Sequence, residues 1–342
     1  MGEPSISYEE TGATINDPAV GMPEPSELKI QEAYQRYDSE RDRRLRPDGF
    51  TQYVDFVDEP AADLRPAEKI AINDNLNQQK DFRVLIVGAG FGGLLFAVRL
   101  LQTGFCQPDE ILLVDKAGGF GGTWWWNKYP GLTCDVESYV YMPLLEETNY
   151  TPSHKYVSGF ELKEHAERIA NQWNLKKRAF FGTKVDKMDW NNEDAQWKVH
   201  ITKNNHLPTI LKSDIVIMAN GLLDFPKIPK LNGLDTYKGH VFHTSRWDYA
   251  YTGGSPDNPT MDNLHDKTVG FVGTGATAVQ AIPHLAQWAR KVIVFQRTPS
   301  SVDVRENSVT DLTWWKTMIQ ENGPGWQRGR MENFNSFISN DP

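Results

Sequence analysis

Three glycines and an acid open the chemistry of this sequence. Gly88, Gly90 and Gly93 stand in G-A-G-F-G-G, and Asp115 follows 22 residues after Gly93. In such a pattern the first glycine permits a tight turn and the second lets a pyrophosphate approach the backbone. The third lets a helix pack closely on a strand. A carboxylate at that distance is placed to accept hydrogen bonds from a ribose. The pattern recurs at Gly273, Gly275 and Ala278 in G-T-G-A-T-A, followed this time by Arg297-Thr298. An acid there would bond the 2′-hydroxyl of NAD, whereas an arginine neutralises the 2′-phosphate of NADP. Taken alone, each run also fits an ordinary glycine turn, and Arg297 a surface arginine. The flanking elements decide.

Val84–Val87 is a short apolar run of the kind a strand buried on both faces needs. Leu94, Leu95, Ala97, Val98, Leu100 and Leu101 then recur at helical spacing, and Ile111–Val114 is a second buried strand ending at Asp115. With strand, turn, helix, strand and acid in register, an adenine dinucleotide is expected here. The second pattern has the same frame: a third buried strand at Thr268–Val272, a helix carrying Val279, Ile282, Leu285 and Ala286, and a strand at Val292–Phe295. Between the two, the spacing predicts a helix over Tyr156–Asn174 and a small meander of Phe180–Trp190 and Gln196–Thr202 turning at N-N-E-D. A buried strand at Asp214–Met218 ends in Ala219-Asn220-Gly221. Leu28–Leu45 reads as a highly charged, solvated helix in a polar extension over residues 1–80 that is expected to drape over the fold.

The densest stretch is Gly118–Tyr141, G-G-F-G-G-T-W-W-W-N-K-Y-P-G-L-T-C-D-V-E-S-Y-V-Y. Its glycines, three tryptophans and Pro130-Gly131 exclude a regular helix or strand. Three adjacent Trp side chains cannot all face one core, so the loop either lines a ligand site or serves as a structural aromatic loop. This stretch resembles the loop that follows the first Rossmann unit in Baeyer–Villiger monooxygenases. A second stretch strengthens the likeness: F-x-G-x-x-x-H-x-x-x-W followed by Pro or Asp is matched by Tyr237, Gly239, His243, Trp247 and Asp248, with Tyr in place of Phe.

The resemblance implies an α/β fold of two Rossmann-like dinucleotide-binding domains, a FAD domain with an inserted NADP domain, the second incomplete. It divides the chain into the extension, a FAD-binding domain with a small β meander over 81–225, and the signature with a partial NADP-binding domain over 226–342. Thr123, Trp124, Asp135 and Tyr141 are implied for FAD, joined by Trp126, Thr133, Cys134 and Val185 as cofactor-binding positions. Thr274 and Thr277 accompany Gly273, Gly275, Arg297 and Thr298 for NADPH. Asp135 is the implied catalytic residue, bordering the flavin ring and paired with an arginine from a later part of the family's length. None of Arg305, Arg328 and Arg330 sits in a matching motif. His243 is expected to serve the interdomain hinge and not proton transfer. The chain reads as the amino-terminal part of a longer enzyme.

Bulk properties narrow the class. A formal charge of −9 leaves no basic surplus for nucleic acid. Cys106 and Cys134 are 28 residues apart, so neither a disulfide framework nor the C-x-x-C of a dithiol reductase is present. The polar start lacks a signal peptide, and the apolar run Val84–Val98 falls short of the ~20 residues of a membrane span. The expectation is a cytoplasmic monooxygenase using FAD, NADPH and O2 to insert oxygen beside a ketone carbonyl, giving an ester or lactone. An N- or S-oxygenating flavin monooxygenase and a non-catalytic FAD-binding remnant stay open as alternatives.

Overall fold

The computed structural model describes residues 27–55, 80–203 and 207–339. The chain divides after Gly49. On the amino-terminal side stands the Glu27–Arg44 helix, which buries none of its residues. Its neighbours are its own charges, such as Arg41 with Asp38 one turn away. This is the solvated helix its composition predicts. Most of the remaining 1–80 extension, and with it the expected draping, lies outside the described residues.

Among the described residues on the carboxyl side, ten strands follow in chain order: β1 (Tyr53–Asp55), β2 (Asp81–Val87), β3 (Ile111–Val114), β4 (Ala179–Phe180), β5 (Thr183–Asn191), β6 (Gln196–Lys203), β7 (Thr209–Met218), β8 (Lys227–Pro229), β9 (Thr268–Val272) and β10 (Lys291–Phe295). Six of them make one sheet in the order β4-β3-β2-β7-β6-β5. The strands β4, β3, β2 and β7 run parallel, and β5–β6 is an antiparallel hairpin on the outer side of β7. Every residue of β3 is buried. Val84, Ile86, Ile111 and Leu113 face the Phe91–Gln102 and Gly159–Gln172 helices through Leu94, Ala97, Val98, Ala166 and Ile169. Leu85, Leu112 and Val114 face a second cluster with Phe180, Val199, Ile201 and Leu211. Burial on both faces is why these strands are apolar without alternation.

Three boundaries differ from expectation, each for a local reason. The helix predicted from Tyr156 starts at Gly159, because Ser158 caps it by accepting from the Glu161 N–H. The strand predicted from Phe180 is split: Ala179–Phe180 pairs with β3, Gly182 turns the chain at φ +59°, and β5 starts at Thr183. The strand predicted from Asp214 begins at Thr209 and serves two neighbours. Thr209–Ser213 pairs antiparallel with β6, and Lys212–Met218 pairs parallel with β2.

The second glycine turn lies in a smaller unit, β9, the Ala276–Trp288 helix and β10, whose two strands pair in parallel. Beyond Asp303 the chain leaves this unit. The Leu312–Asn322 and Trp326–Ser339 helices set Trp315, Met318 and Trp326 into a cluster with Trp124, Cys134, Tyr139, Met142 and Leu145. Packing therefore departs from the 226–342 grouping: residues 303–339 sit on the aromatic loop, while β1, from the extension, pairs with β8.

Candidate cofactor site

The first glycine turn is made of backbone that tolerates no side chain. Gly88 has φ +113°, its N–H donates to the Val114 carbonyl at 2.8 Å, and a Cβ there would stand 2.5 Å from the Ala219 carbonyl oxygen. A Cβ on Gly93 would collide with the Gly88 carbonyl, which is how the helix gets so close to the turn. Gly90 caps the Phe91–Gln102 helix without a side-chain hydrogen bond, so the first N–H groups face outward. The aromatic loop crosses directly above: a Cβ on Gly90 would lie 3.3 Å from Gly122 Cα, and one on Gly122 only 2.9 Å from Gly90 Cα.

Asp115 at the end of β3 accepts from the Ala89 N–H through Oδ2 at 2.7 Å and from the Ala117 N–H through Oδ1 at 2.8 Å. Burial raises its pKa, and the two amides work against that shift. Each oxygen keeps acceptor capacity for a hydroxyl. These groups border a cleft of about 440 Å³. Gly88, Gly90, Asp115, Thr123, Trp124, Trp126, Tyr141 and Val185 line it, as do Met218, Ala219 and Asn220 at the end of β7. Trp124 donates from Nε1 to the Tyr141 hydroxyl at 3.1 Å, and burial pushes the Tyr141 pKa up to about 12.

Thr133, Cys134 and Asp135 are not among the lining residues. They lie further along the loop, where it meets the second unit. Gln280 of the Ala276–Trp288 helix donates to the Thr133 carbonyl at 3.3 Å and accepts from the Tyr129 hydroxyl at 3.2 Å. Tyr129 also bonds Thr277. A Cβ on Gly131 would come 2.5 Å from the Gln280 carbonyl oxygen, so only glycine lets helix and loop touch. The Cys134 thiol is pushed up to about 11 by burial and stays neutral. Asp135 faces Arg305, whose Nη1 donates to Oδ1 at 2.9 Å. Arg305 sits in no matching motif, and a contact made across 170 residues leaves no signal in the sequence.

At the second turn Gly273 has φ +109° and donates its N–H to Phe295 O at 2.9 Å, while Gly275 caps the helix without a side-chain bond. Cβ atoms at either position would meet nothing within 4 Å, so the space over this turn is open. Thr274 Oγ1 donates to the Thr298 carbonyl at 2.8 Å, and Arg297 reaches Gln52 with Nη1 at 3.2 Å.

Three comparisons bear on this arrangement. The family described as NAD(P)-binding Rossmann-like domain matches residues 86–154. A FAD-binding monooxygenase of Penicillium brasilianum is 52% identical over 303 residues, 87% of this chain and 47% of that protein. The polycyclic ketone monooxygenase of Thermothelomyces thermophila superposes with a TM-score of 0.85 at 45% identity, covering 92% of this chain and 51% of that one. OTEMO in complex with FAD and NADP gives 0.61 at 29% identity, over 72% and 44%. Over the part it spans, the chain's structural neighbours are Baeyer–Villiger type monooxygenases and its relatives are FAD-binding monooxygenases. It spans about half the length of the curated relatives it matches.

Two residues of the signature, His243 and Trp247, are held within the fold. His243 Nδ1 accepts from the Ser245 N–H at 3.1 Å, capping the short Thr244–Arg246 turn. Burial brings its pKa down to about 4, so the ring is neutral. Trp247 is buried with Tyr129, Phe271 and Leu285. Arg246, which sequence reasoning passed over, stacks its guanidinium 3.9 Å above Trp126 and donates to Asp224 O at 2.8 Å. Asp224 in turn pairs with Lys116 at 2.6 Å, beside Asp115. Lys116, Asp224, Arg246 and Gln280 carried no motif signal, because their partners are remote in sequence. Among the described residues no helix is long and apolar enough to cross a membrane.

Proposed function

We propose that the protein is an FAD- and NADPH-dependent monooxygenase that inserts one oxygen of O2 beside a ketone carbonyl, yielding an ester or lactone. One observation carries the reading. Two bare glycine turns are docked on the same aromatic loop, one through Gly90 against Gly122 and the other through Gln280 against Thr133. A backbone cradle, an uncapped helix N-terminus and a buried acid at the strand end fit a flavin dinucleotide. The open second turn followed by Arg297 fits NADPH.

On this reading Gly88 and Gly90 admit the FAD pyrophosphate and Asp115 accepts from its ribose, while Thr123, Trp124, Trp126, Tyr141 and Val185 line the remainder. Gly273, Thr274, Gly275 and Thr277 receive NADPH, with Arg297 and Thr298 at its 2′-phosphate. When bound, reduced FAD supplies the activation of O2 and its delivery to the ketone. The protein's share is to orient the two cofactors, to keep water out through the Tyr129–Trp247 cluster, and to present the Asp135 carboxylate. The high thiol pKa of Cys134 and phenol pKa of Tyr141 support no acid–base task for either. The likeness to the polycyclic ketone monooxygenase of Thermothelomyces thermophila supports polycyclic ketones as the first to try. Free, buried Cys106 and Cys134 suit a cytoplasmic location.

The test uses the full-length protein: released flavin is identified, and ester formation from cyclic and polycyclic ketones is followed by mass spectrometry. Ketone-dependent NADPH oxidation with ester as product is expected. Oxygenation of amines or sulfides with no ester would overturn the assignment. Arg297→Ala should weaken NADPH use by roughly 1.5–3 kcal/mol, the scale of a charge-assisted hydrogen bond, and leave NADH use nearly unchanged. Equal losses for both would make Arg297 structural.

A further inference from the structure

Most of the loop that carries Asp135 is tied down by its nearer surroundings. Thr133 is held by Gln280, Cys134 by the Val157 carbonyl, and Glu137 by Lys155. Asp135 is held from beyond the second unit, by Arg305, as Glu137 is also reached by Arg330. The arginine lies on a strap, residues 303–311, that runs from the second unit to the Leu312–Asn322 helix. Its guanidinium stands 4.8 Å over the Tyr156 ring. The strap around it is firmly fastened. Asn307 accepts from the Tyr156 N–H at 3.0 Å and donates to the Tyr156 carbonyl at 2.9 Å. Ser308 O accepts from the Lys155 N–H, and the Thr310 N–H donates to Ser153 O, both at 2.9 Å. Upstream, the same stretch is tied to the second glycine turn, by Thr274 Oγ1 on Thr298 O and by Ser300 Oγ on Thr274 O.

An ion pair whose partners keep 44% and 61% of their side-chain surface exposed adds little stability. What the fastened strap supplies is direction, since it sets a guanidinium lying over the Tyr156 ring within bonding distance of the carboxylate. We infer that Arg305 is a positioning residue that sets the orientation of the Asp135 carboxylate. The strap that carries it links that orientation to occupancy of the Gly273–Gly275 turn. The inference rests on the reading of that turn as the NADPH site. Arg305 itself touches no reacting atom on this account. It acts through Asp135.

Hydrogen exchange read by mass spectrometry on the full-length protein tests the link without turnover. NADP+ should slow exchange across residues 303–309 by roughly tenfold in the parent, as ligand binding suppresses local opening. Arg305→Gln should lose most of that slowing while the 273–278 peptides stay protected, Asp135→Asn should behave in the same way, and Arg305→Lys should keep part of it. In steady state, Arg305→Gln should lower kcat with ketone about tenfold, as a misplaced group does, with the KM for NADPH within about twofold. Its melting temperature should stay within about 3 °C of the parent. No NADP+ effect on 303–309 in the parent overturns the link. Unchanged kcat in Arg305→Gln overturns the positioning role, as does a large drop in melting temperature with kcat and KM damaged together. A parent protein that turns over no ketone would defeat the proposed function and leave the exchange measurement to judge Arg305 by itself.

Discussion

His165 is buried and His243 half-buried, and both are held neutral. The Pro143 carbonyl can only accept, so His165 Nε2 carries the hydrogen of the 2.7 Å bond between them. Arg168 can only donate, so Nδ1 is its acceptor at 3.1 Å. Burial is the main cause that brings each pKa down to about 4, from an ordinary value of 6.5. The unfolded chain therefore binds more protons between those limits. The stability each ring contributes is complete above pH 6.5 and is lost as pH falls toward 4. A loss on the order of 2 kcal/mol per histidine is expected between pH 7 and 4.5, measured by urea unfolding. Gln at 165 can still donate to Pro143 and accept from Arg168, and Asn at 243 can still cap, but neither titrates. His165→Gln and His243→Asn should therefore each flatten the profile. If both variants keep the parent slope, other groups govern acid stability.

A buried amide, that of Gln327, helps join the Trp326–Ser339 helix to the Met142–Leu145 segment. Gln327 Oε1 accepts from the Leu145 N–H at 2.7 Å, and its Nε2 donates to the Met142 carbonyl at 2.5 Å. Gln327→Leu would strand both backbone groups in a dry contact and should cost about 2–4 kcal/mol, whereas Asn335→Ala on the exposed side should stay within about 0.5 kcal/mol. Urea midpoints at constant m-value decide the matter, and equal effects of the two changes would contradict the assigned role. Nothing at Gln327 in the sequence announces this. Local patterns were legible: the two glycine turns and their flanking strands each depend on residues a few positions apart. The α/β class followed from them. The double use of β7 was not legible, because Thr209–Ser213 shows neither strict alternation nor a continuous apolar run, while Asp214–Met218 reads as buried and is only partly covered. Nor were Arg305, Gln280 and Gln327, whose partners lie about 150 residues or more away. Trp314, Trp315 and Trp326 read as anchors, and two of them are buried, but on the aromatic loop and not within the second unit.

Across the molecule, burial is uneven. The strands β2 and β3 have their inner residues at or near zero exposure, whereas Val272, Ile293, Val294 and Phe295 of β9 and β10 remain exposed. Local opening follows buried apolar contact, so amides of Val84–Val87 and Ile111–Val114 should exchange at the global rate. Those of β9 and β10 should exchange by smaller openings at lower free energy. Uniform protection of all four strands would refute this ordering. The two-sided pairing of β7 also has a kinetic consequence. Ile215 lies beside Val84, 131 residues earlier, and closing so long a loop directly is costly in chain entropy and slow. The β5–β6–β7 meander, by contrast, needs only short-range contacts, and once formed it carries the far half of β7 already extended. The central sheet is then completed by capture of a ready-made edge and not by a search of two free strands. Refolding should accordingly slow when the meander core is cut at Val199→Ala, while Phe271→Ala in β9 should chiefly quicken unfolding. The last strand of the flavin sheet in chain order would be the one on which its assembly waits.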